Sequence, residues 1–267
     1  MKKSTLAIVV LTFFGIACST VPLTGRKQLN LIPDAQINSL SFQNYQQVLK
    51  ESTLSTNTEQ AQLVKKVGKK IAYAVEKYMQ EKGLQDRISD FKWEFNLIEE
   101  NTVNAWCMPG GKVAFYTGIM PICRDEAGVA VVMSHEIAHA IAEHGNERMS
   151  QQLTAQMGGM ALAVALREKP QATQQLANTA FGLGAQYGVL LPFGRTQESE
   201  ADELGLYFLS MAGYDPDAAV PFWQRMAEQG GQRPPEFLST HPAPETRIQN
   251  IRKIIPKAKK FQGKYAR

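Results

Sequence analysis

The feature that most limits how this 267-residue chain can fold is a pair of histidines set four residues apart inside an apolar segment. Asp125 is suited to cap a helix running from Glu126 to about His144, with Gly145 placed to close it. Val129, Val131, Val132, Ile137 and Ala140 make that helix a buried one. Within it stands Ser134-His135-Glu136-Ile137-Ala138-His139. At about 3.6 residues per turn, His135 and His139 lie about 40° apart on one face, so both imidazoles can reach one ion. Unpaired imidazoles in such a helix would be costly, and a shared metal removes the cost. Glu136 is about 100° round from His135, close to the ion but off the ligand axis. Zinc brings the pKa of its water to about 7, and a carboxylate so placed can complete the deprotonation.

A catalytic zinc usually has three protein ligands and one open position. His144 is the nearest candidate for the third ligand, but nine steps along a continuous helix turn it to the opposite face. Ala142 also stands where the extended zinc motif with a third histidine needs glycine. A better candidate segment is Gln197-Glu198-Ser199-Glu200-Ala201-Asp202, which opens a later helix. Glu198 and Asp202 are one turn apart and share a face. The first can bind metal, and the second can accept the Nδ1 proton of a ligand histidine. Glu200 points away from that face and is expected in solvent.

The rest of the chain frames this segment. Helices are expected from Asp34 to about Glu51 and from Thr58 to Gly83, the second burying Leu63, Val67, Ile71, Ala74, Val75 and Tyr78 on one stripe. Residues 91–97 alternate apolar and polar as a half-buried strand does, and Lys112 to Tyr116 reads as another after the Pro109-Gly110-Gly111 turn. A mostly helical remainder follows, with starts near Thr196, Asp217 and Pro242. The ten apolar residues Met157 to Leu166 are too few to cross a bilayer and read as a buried helix. Helices followed by a small sheet and more helices predict one α+β domain over 34–267, not alternating βαβ units.

The N-terminus carries an address. Lys2 and Lys3 precede an apolar stretch, Leu6 to Ile16, of signal-peptide length. Gly15-Ile16-Ala17-Cys18 then resembles a bacterial lipobox, with Gly15 where an aliphatic residue is usual. The expectation is a signal peptide over 1–17, a lipid on Cys18 as membrane anchor, and an aperiodic tether over 18–33. That places the protein in a bacterial envelope, at the outer membrane facing the periplasm. Cys107 and Cys123 leave open either a disulfide or two buried thiols. A net charge of +4, of which Lys2 and Lys3 supply two, gives no reason to expect nucleic acid as a partner.

The segments around the histidines resemble those of the HtpX, CAAX-prenyl-protease and Oma-type zinc metallopeptidases, which are gluzincins. The resemblance rests on residues 104–111 (Asn-Ala-Trp-Cys-Met-Pro-Gly-Gly), Tyr116-Thr117-Gly118, Val132 to Glu136, Arg195 to Asp202, and Thr240-His241-Pro242 with Arg247. It implies a mostly helical zincin-like domain with a small sheet whose edge strand lines the cleft. Glu198 is then the third zinc ligand and Asp202 the partner of His135 or His139. The strand after the turn, with Gly110, Gly111, Lys112, Val113 and Ala114, would pair with an extended substrate. His241 would donate to the oxyanion or cap the ion, and Arg247 would position a loop or the substrate. Without transmembrane helices like those of HtpX, the chain resembles the soluble lipoprotein branch. The implied activity is hydrolysis of misfolded or misassembled envelope polypeptides, with one Zn2+ per chain and Glu136 as base. The competing expectation is an envelope chaperone or assembly factor whose protease activity is latent.

Overall fold

The computed structural model describes residues 18–229 and 244–267. The expected signal peptide and His241 lie outside these residues. The first described segment is not a free tether. β1 (Cys18–Thr20) pairs antiparallel with β2 (Lys27–Leu29). Val21 is buried beside this hairpin, the Leu31 N–H donates to Ser150 Oγ at 2.8 Å, and the Asn146 side-chain amide donates to the Ile32 carbonyl at 2.7 Å. Polar contacts from distant residues hold the segment, so it lacks the apolar period by which order is read from sequence.

Two helices follow, α1 (Asp34–Glu51) and α2 (Thr58–Glu81). The Asn57 side chain caps α2 by accepting from the Gln60 N–H at 3.1 Å. Val67, Ile71, Ala74, Val75 and Tyr78 form its buried stripe, as their spacing predicts, while Leu63 is only half-buried at its edge. The sheet has three strands, β3 (Glu94–Ile98), β4 (Ala105–Met108) and β5 (Lys112–Tyr116), in the order β3-β5-β4. β5 runs parallel to β3 and antiparallel to β4. Gly110 (φ 79°) and Gly111 (φ 83°) make the β4–β5 turn in a backbone region that other residues avoid.

This topology corrects one expectation. The strand carrying Lys112, Val113 and Ala114 is the central strand, with its backbone groups engaged on both sides. The edge nearest the histidine helix is β4, which the sequence pattern did not mark as a strand. It is short, and Trp106, Cys107 and Met108 are all half-buried, so it shows no alternation.

After the short helix α3 (Met120–Cys123), Asp125 accepts from the Gly128 N–H at 2.9 Å and starts α4 (Glu126–Ile141). Thirteen of the sixteen residues of α4 are buried, which makes it the central element, packed against α2, β4 and a later helix. α4 stops earlier than expected. Glu143 adopts φ 57°, and α5 (His144–Leu166) begins at the next residue, with Gly145 inside it. Arg87 donates to the Glu143 carboxylate from Nε at 3.2 Å and from a terminal nitrogen, as do the side-chain amides of Gln28 and Asn30. That polar grip holds a glutamate in a conformation usually left to glycine or asparagine.

Helix α6 (Gln171–Ala185) returns along α5 and passes through a π turn (Gln186–Leu190) into α7 (Leu191–Met211). The expectation of a buried Met157–Leu166 is not met, since Met157, Met160 and Val164 are each more than half exposed. Phe181 of α6 lies over Gly158, but α6 covers only one side of α5. α8 (Ala219–Glu228) and α9 (Pro244–Ala258) close the core against α7 and α4. The architecture is the expected α+β class. No helix among the described residues is long and apolar enough to cross a membrane. Cys107 and Cys123 are free thiols, so no disulfide joins them.

Candidate metal centre

His135 and His139 project from the same side of α4, with their Nε2 atoms 3.1 Å apart. The Glu198 carboxylate of α7 meets both, at 3.7 Å from His135 Nε2 and 3.4 Å from His139 Nε2. All three side chains are buried, and their donor atoms lie within 4.8 Å of one another. Two imidazole nitrogens and a carboxylate oxygen converging on one point fit a divalent metal with a further position open. Among the described residues this is the one such cluster.

The outward nitrogen of each histidine is also engaged. His135 Nδ1 lies 3.0 Å from Asp202 Oδ1, which also accepts from Arg247 at 2.6 Å. Of the two partners open to Asp202, the structure selects His135. Arg247 is buried, with its guanidinium 3.4 Å from the Trp223 ring centroid and a terminal nitrogen 3.3 Å from His135 Nδ1. It therefore sits at the metal centre as the cation that holds Asp202 in place. Burial opposes charge on His135, but Asp202 and Glu198 outweigh it and hold its pKa up at about 9. Burial pushes His139 down to about 3, and the positive charge on His135 adds to this. The metal-free pair therefore keeps His139 neutral and ready to ligate.

Glu136 is half-buried on the neighbouring face of α4. Burial lifts its carboxyl to about 7, with a further push from Glu198 and opposition from His135 and Arg247. A group with this pKa can both take and return a proton near neutrality. Cys107 of β4, Pro109, His139, Ala140 and Arg148 line a cavity between the edge strand and α4.

Two expectations about neighbouring residues are overturned. His144 does not turn away, because the chain breaks at Ala142 and Glu143 and the continuous-helix rotation no longer applies. It is fully buried, with Nδ1 2.8 Å from His139 Nδ1. It remains outside the ligand cluster, as expected. Glu200 is not in solvent either. It is buried with Oε2 3.0 Å from His144 Nε2 and 2.8 Å from Arg26 Nε. Arg26, Glu147 and Trp223 were invisible as site residues, since each reaches the centre only through the fold.

The model described as peptidase family M48 matches residues 65–255, well over half of the chain. The chain belongs to this family. The Mitochondrial metalloendopeptidase OMA1 of Schizosaccharomyces pombe is 39% identical over 173 residues, covering 64% of this chain and 49% of that protein. The Metalloendopeptidase OMA1, mitochondrial, of Homo sapiens is 26% identical over 268 residues, covering 97% of this chain and 50% of its own. The Beta-barrel assembly-enhancing protease of Escherichia coli K12 is 32% identical over 169 residues, 60% of this chain and 34% of that protein. This M48 chain thus spans about half the length, or less, of these relatives. The cluster, Glu136 and Arg247 all fall within the family match, whereas the β1–β2 hairpin lies outside it.

Proposed function

We propose that this M48 chain is a zinc-dependent endopeptidase acting on extended polypeptides of a bacterial envelope. The observation that carries the reading is the convergence of His135 Nε2, His139 Nε2 and the Glu198 carboxylate, with half-buried Glu136 beside them. Two histidines and a glutamate are a donor set of catalytic zinc sites.

When bound, the ion supplies Lewis acidity and brings water's pKa to about 7. Glu136 takes the proton from the attacking water and passes it to the leaving amine, breaking the C–N bond. Asp202, held by Arg247, keeps His135 oriented. Among the described residues no strand pairs with the outer edge of β4, beside α4, and a substrate backbone can add there as a strand. Gly110 and Gly111 set the turn that places that edge, and Lys112, Val113 and Ala114 back it from the central strand. His241 remains a proposed oxyanion donor or cap of the ion.

The envelope setting is supported by the charged and apolar N-terminus ending at Cys18, whose lipid would hold the protein at the outer membrane facing the periplasm. The bacterial relative named for enhancing β-barrel assembly supports misassembled envelope proteins as substrates and also favours the assembly-factor reading. One experiment separates these readings. Glu136→Gln keeps the size of the side chain but cannot accept the proton, so zinc binding should survive while casein cleavage falls by at least ~10². If neither form cleaves anything and the variant supports envelope assembly as well as the unmodified protein does, the endopeptidase reading fails.

A further inference from the structure

Each of the two histidines of the cluster is backed by a carboxylate of α7, and each carboxylate is gripped by an arginine from outside that helix. His135 meets Asp202 directly, and Asp202 is held by Arg247. His139 reaches its carboxylate, Glu200, through His144, and Glu200 is held by Arg26. We propose that the β1–β2 hairpin is a working part of the metal centre, in which Arg26, acting through Glu200 and His144, fixes His139 in the tautomer that presents Nε2 to the ion. The inference rests on the metal-site reading above and concerns a segment beyond the family match.

The argument follows the protons. A neutral imidazole has one N–H and one bare nitrogen. The Glu200 carboxylate can only accept, so the proton of His144 must be on Nε2, 3.0 Å from Glu200 Oε2. His144 Nδ1 is then bare and can only accept, at 2.8 Å, from His139 Nδ1–H. His139 Nε2 is left bare, and it is this atom that lies with His135 Nε2 and Glu198. The reverse order would put a hydrogen on His139 Nε2, pointing into the ligand set, and would leave His144 Nε2 bare against the Glu200 carboxylate, with no hydrogen between them. A two-step relay therefore carries the orientation set at Glu200 to the metal ligand.

Glu200 needs to be held for this to work. Arg26 donates to Glu200 Oε2 from Nε at 2.8 Å and to both oxygens of Glu147 at 2.7 and 2.8 Å. Thr24 of the same hairpin donates to Glu200 Oε1. Gln197 donates to Glu147 at 2.7 Å. One guanidinium thus clamps two buried carboxylates from α5 and α7, and it does so in the fork geometry that lysine lacks.

The test uses the full chain and zinc alone as probe, with affinity measured by competition against a chelating dye. Arg26→Gln and His144→Phe should each weaken zinc binding by about 10- to 100-fold, the range for removing an outer partner of a ligand histidine. Arg26→Lys, which keeps the charge but not the fork, should recover only part of the loss. In the metal-free protein, long-range 1H–15N correlation of the imidazoles should show His139 protonated on Nδ1 in the unmodified chain. In His144→Phe it should show a mixture of tautomers. Variants that melt at lower temperature but bind zinc with unchanged affinity would reduce the network to scaffolding and overturn the proposal. Should His144→Phe not fold, Arg26→Gln, at the partly exposed end of the chain of contacts, decides the matter. An unmodified protein that binds no zinc would overturn the metal reading itself, an outcome distinct from variants that bind as well as it does.

Discussion

Gly205 of α7 faces the backbone of His135 so closely that a Cβ built on it would lie 3.1 Å from both the His135 Cα and N atoms. The two helices therefore meet backbone to backbone at the metal centre. That approach lets Glu198, two turns before Gly205, and Asp202, one turn before it, reach the His135 ring. Gly205→Ala should cost about 1–3 kcal/mol of stability through overpacking, because the neighbour that must yield is buried backbone. Gly205→Val should in addition separate the ligands, and zinc binding should fall well beyond the loss of stability. Thermal melts with and without zinc check both. Equal zinc affinity in Gly205→Val and the unmodified chain would show that the contact does not set the site.

In the metal-free protein His135, at about 9, carries a proton through the neutral range, and an incoming ion must displace it. Zinc affinity should therefore rise with pH, approaching tenfold per pH unit, and level off above about 9. The sign follows from competition, since a raised histidine pKa strengthens the proton as a rival of the metal. Asp202→Asn removes a carboxylate that holds this proton and should flatten the dependence while weakening binding overall. Zinc titrations at a series of pH values would contradict this if the affinity of the unmodified protein did not change between pH 6 and 8.

How much of this could be read beforehand depended on how local the cause was. The capped helix with His135, Glu136 and His139 is legible because Asp125, the apolar flanks and the four-residue spacing all act within one element. Glu198 and Asp202 are legible as a pair for the same reason, and the structure brings them to the histidines. His144 was misread because an ideal helix was assumed to continue. The break at Glu143 is held by Arg87, Gln28 and Asn30, which no local pattern connects to it. Glu200 was misread because its burial is offset by Arg26, 174 residues away. The edge strand was assigned to β5 from the resemblance, which marks the strand after the Pro109-Gly110-Gly111 turn; β5 is a continuous buried apolar run, whereas β4 is half-buried beyond Ala105 and gives no local strand signal.

β4 makes a sharper prediction about substrate than the motifs do. The Asn104 carbonyl accepts from the Tyr116 N–H at 3.1 Å, which fixes the phase of the antiparallel ladder. Residues opposite each other alternate between bonded and non-bonded pairs, so Trp106 and Met108 bond to β5, and Cys107 turns its N–H and carbonyl to the outer edge, which no strand among the described residues pairs. Cys107→Pro removes that outward N–H without taking a bond from the β5 ladder. Turnover of casein should fall at least ~10-fold, the scale of about 1.4 kcal/mol for one strand-addition bond, while zinc affinity stays within twofold. Unchanged kcat/KM in a folded Cys107→Pro protein would rule out strand addition at β4.

The last prediction concerns what holds the protein at a membrane. Two features compete for that role. One is Cys18, the proposed lipid site, where acyl chains would give two or three anchors. The other is the α5–α6 pair, whose Met157, Met160, Val164 and Leu176 are each more than half exposed and whose charges between residues 149 and 194 are confined to Arg167, Glu168 and Lys169. Neither helix can span a bilayer, so any hold through this pair would be interfacial and weaker than acylation. Cys18→Ala should therefore move the protein from the membrane fraction to the soluble envelope extract. Replacing Met157, Met160 and Val164 with serine should leave the unmodified-Cys18 protein in the membrane fraction. The reverse pattern, with release by the serine variant and retention by Cys18→Ala after a salt wash, would transfer the anchor from the lipid to the helix pair.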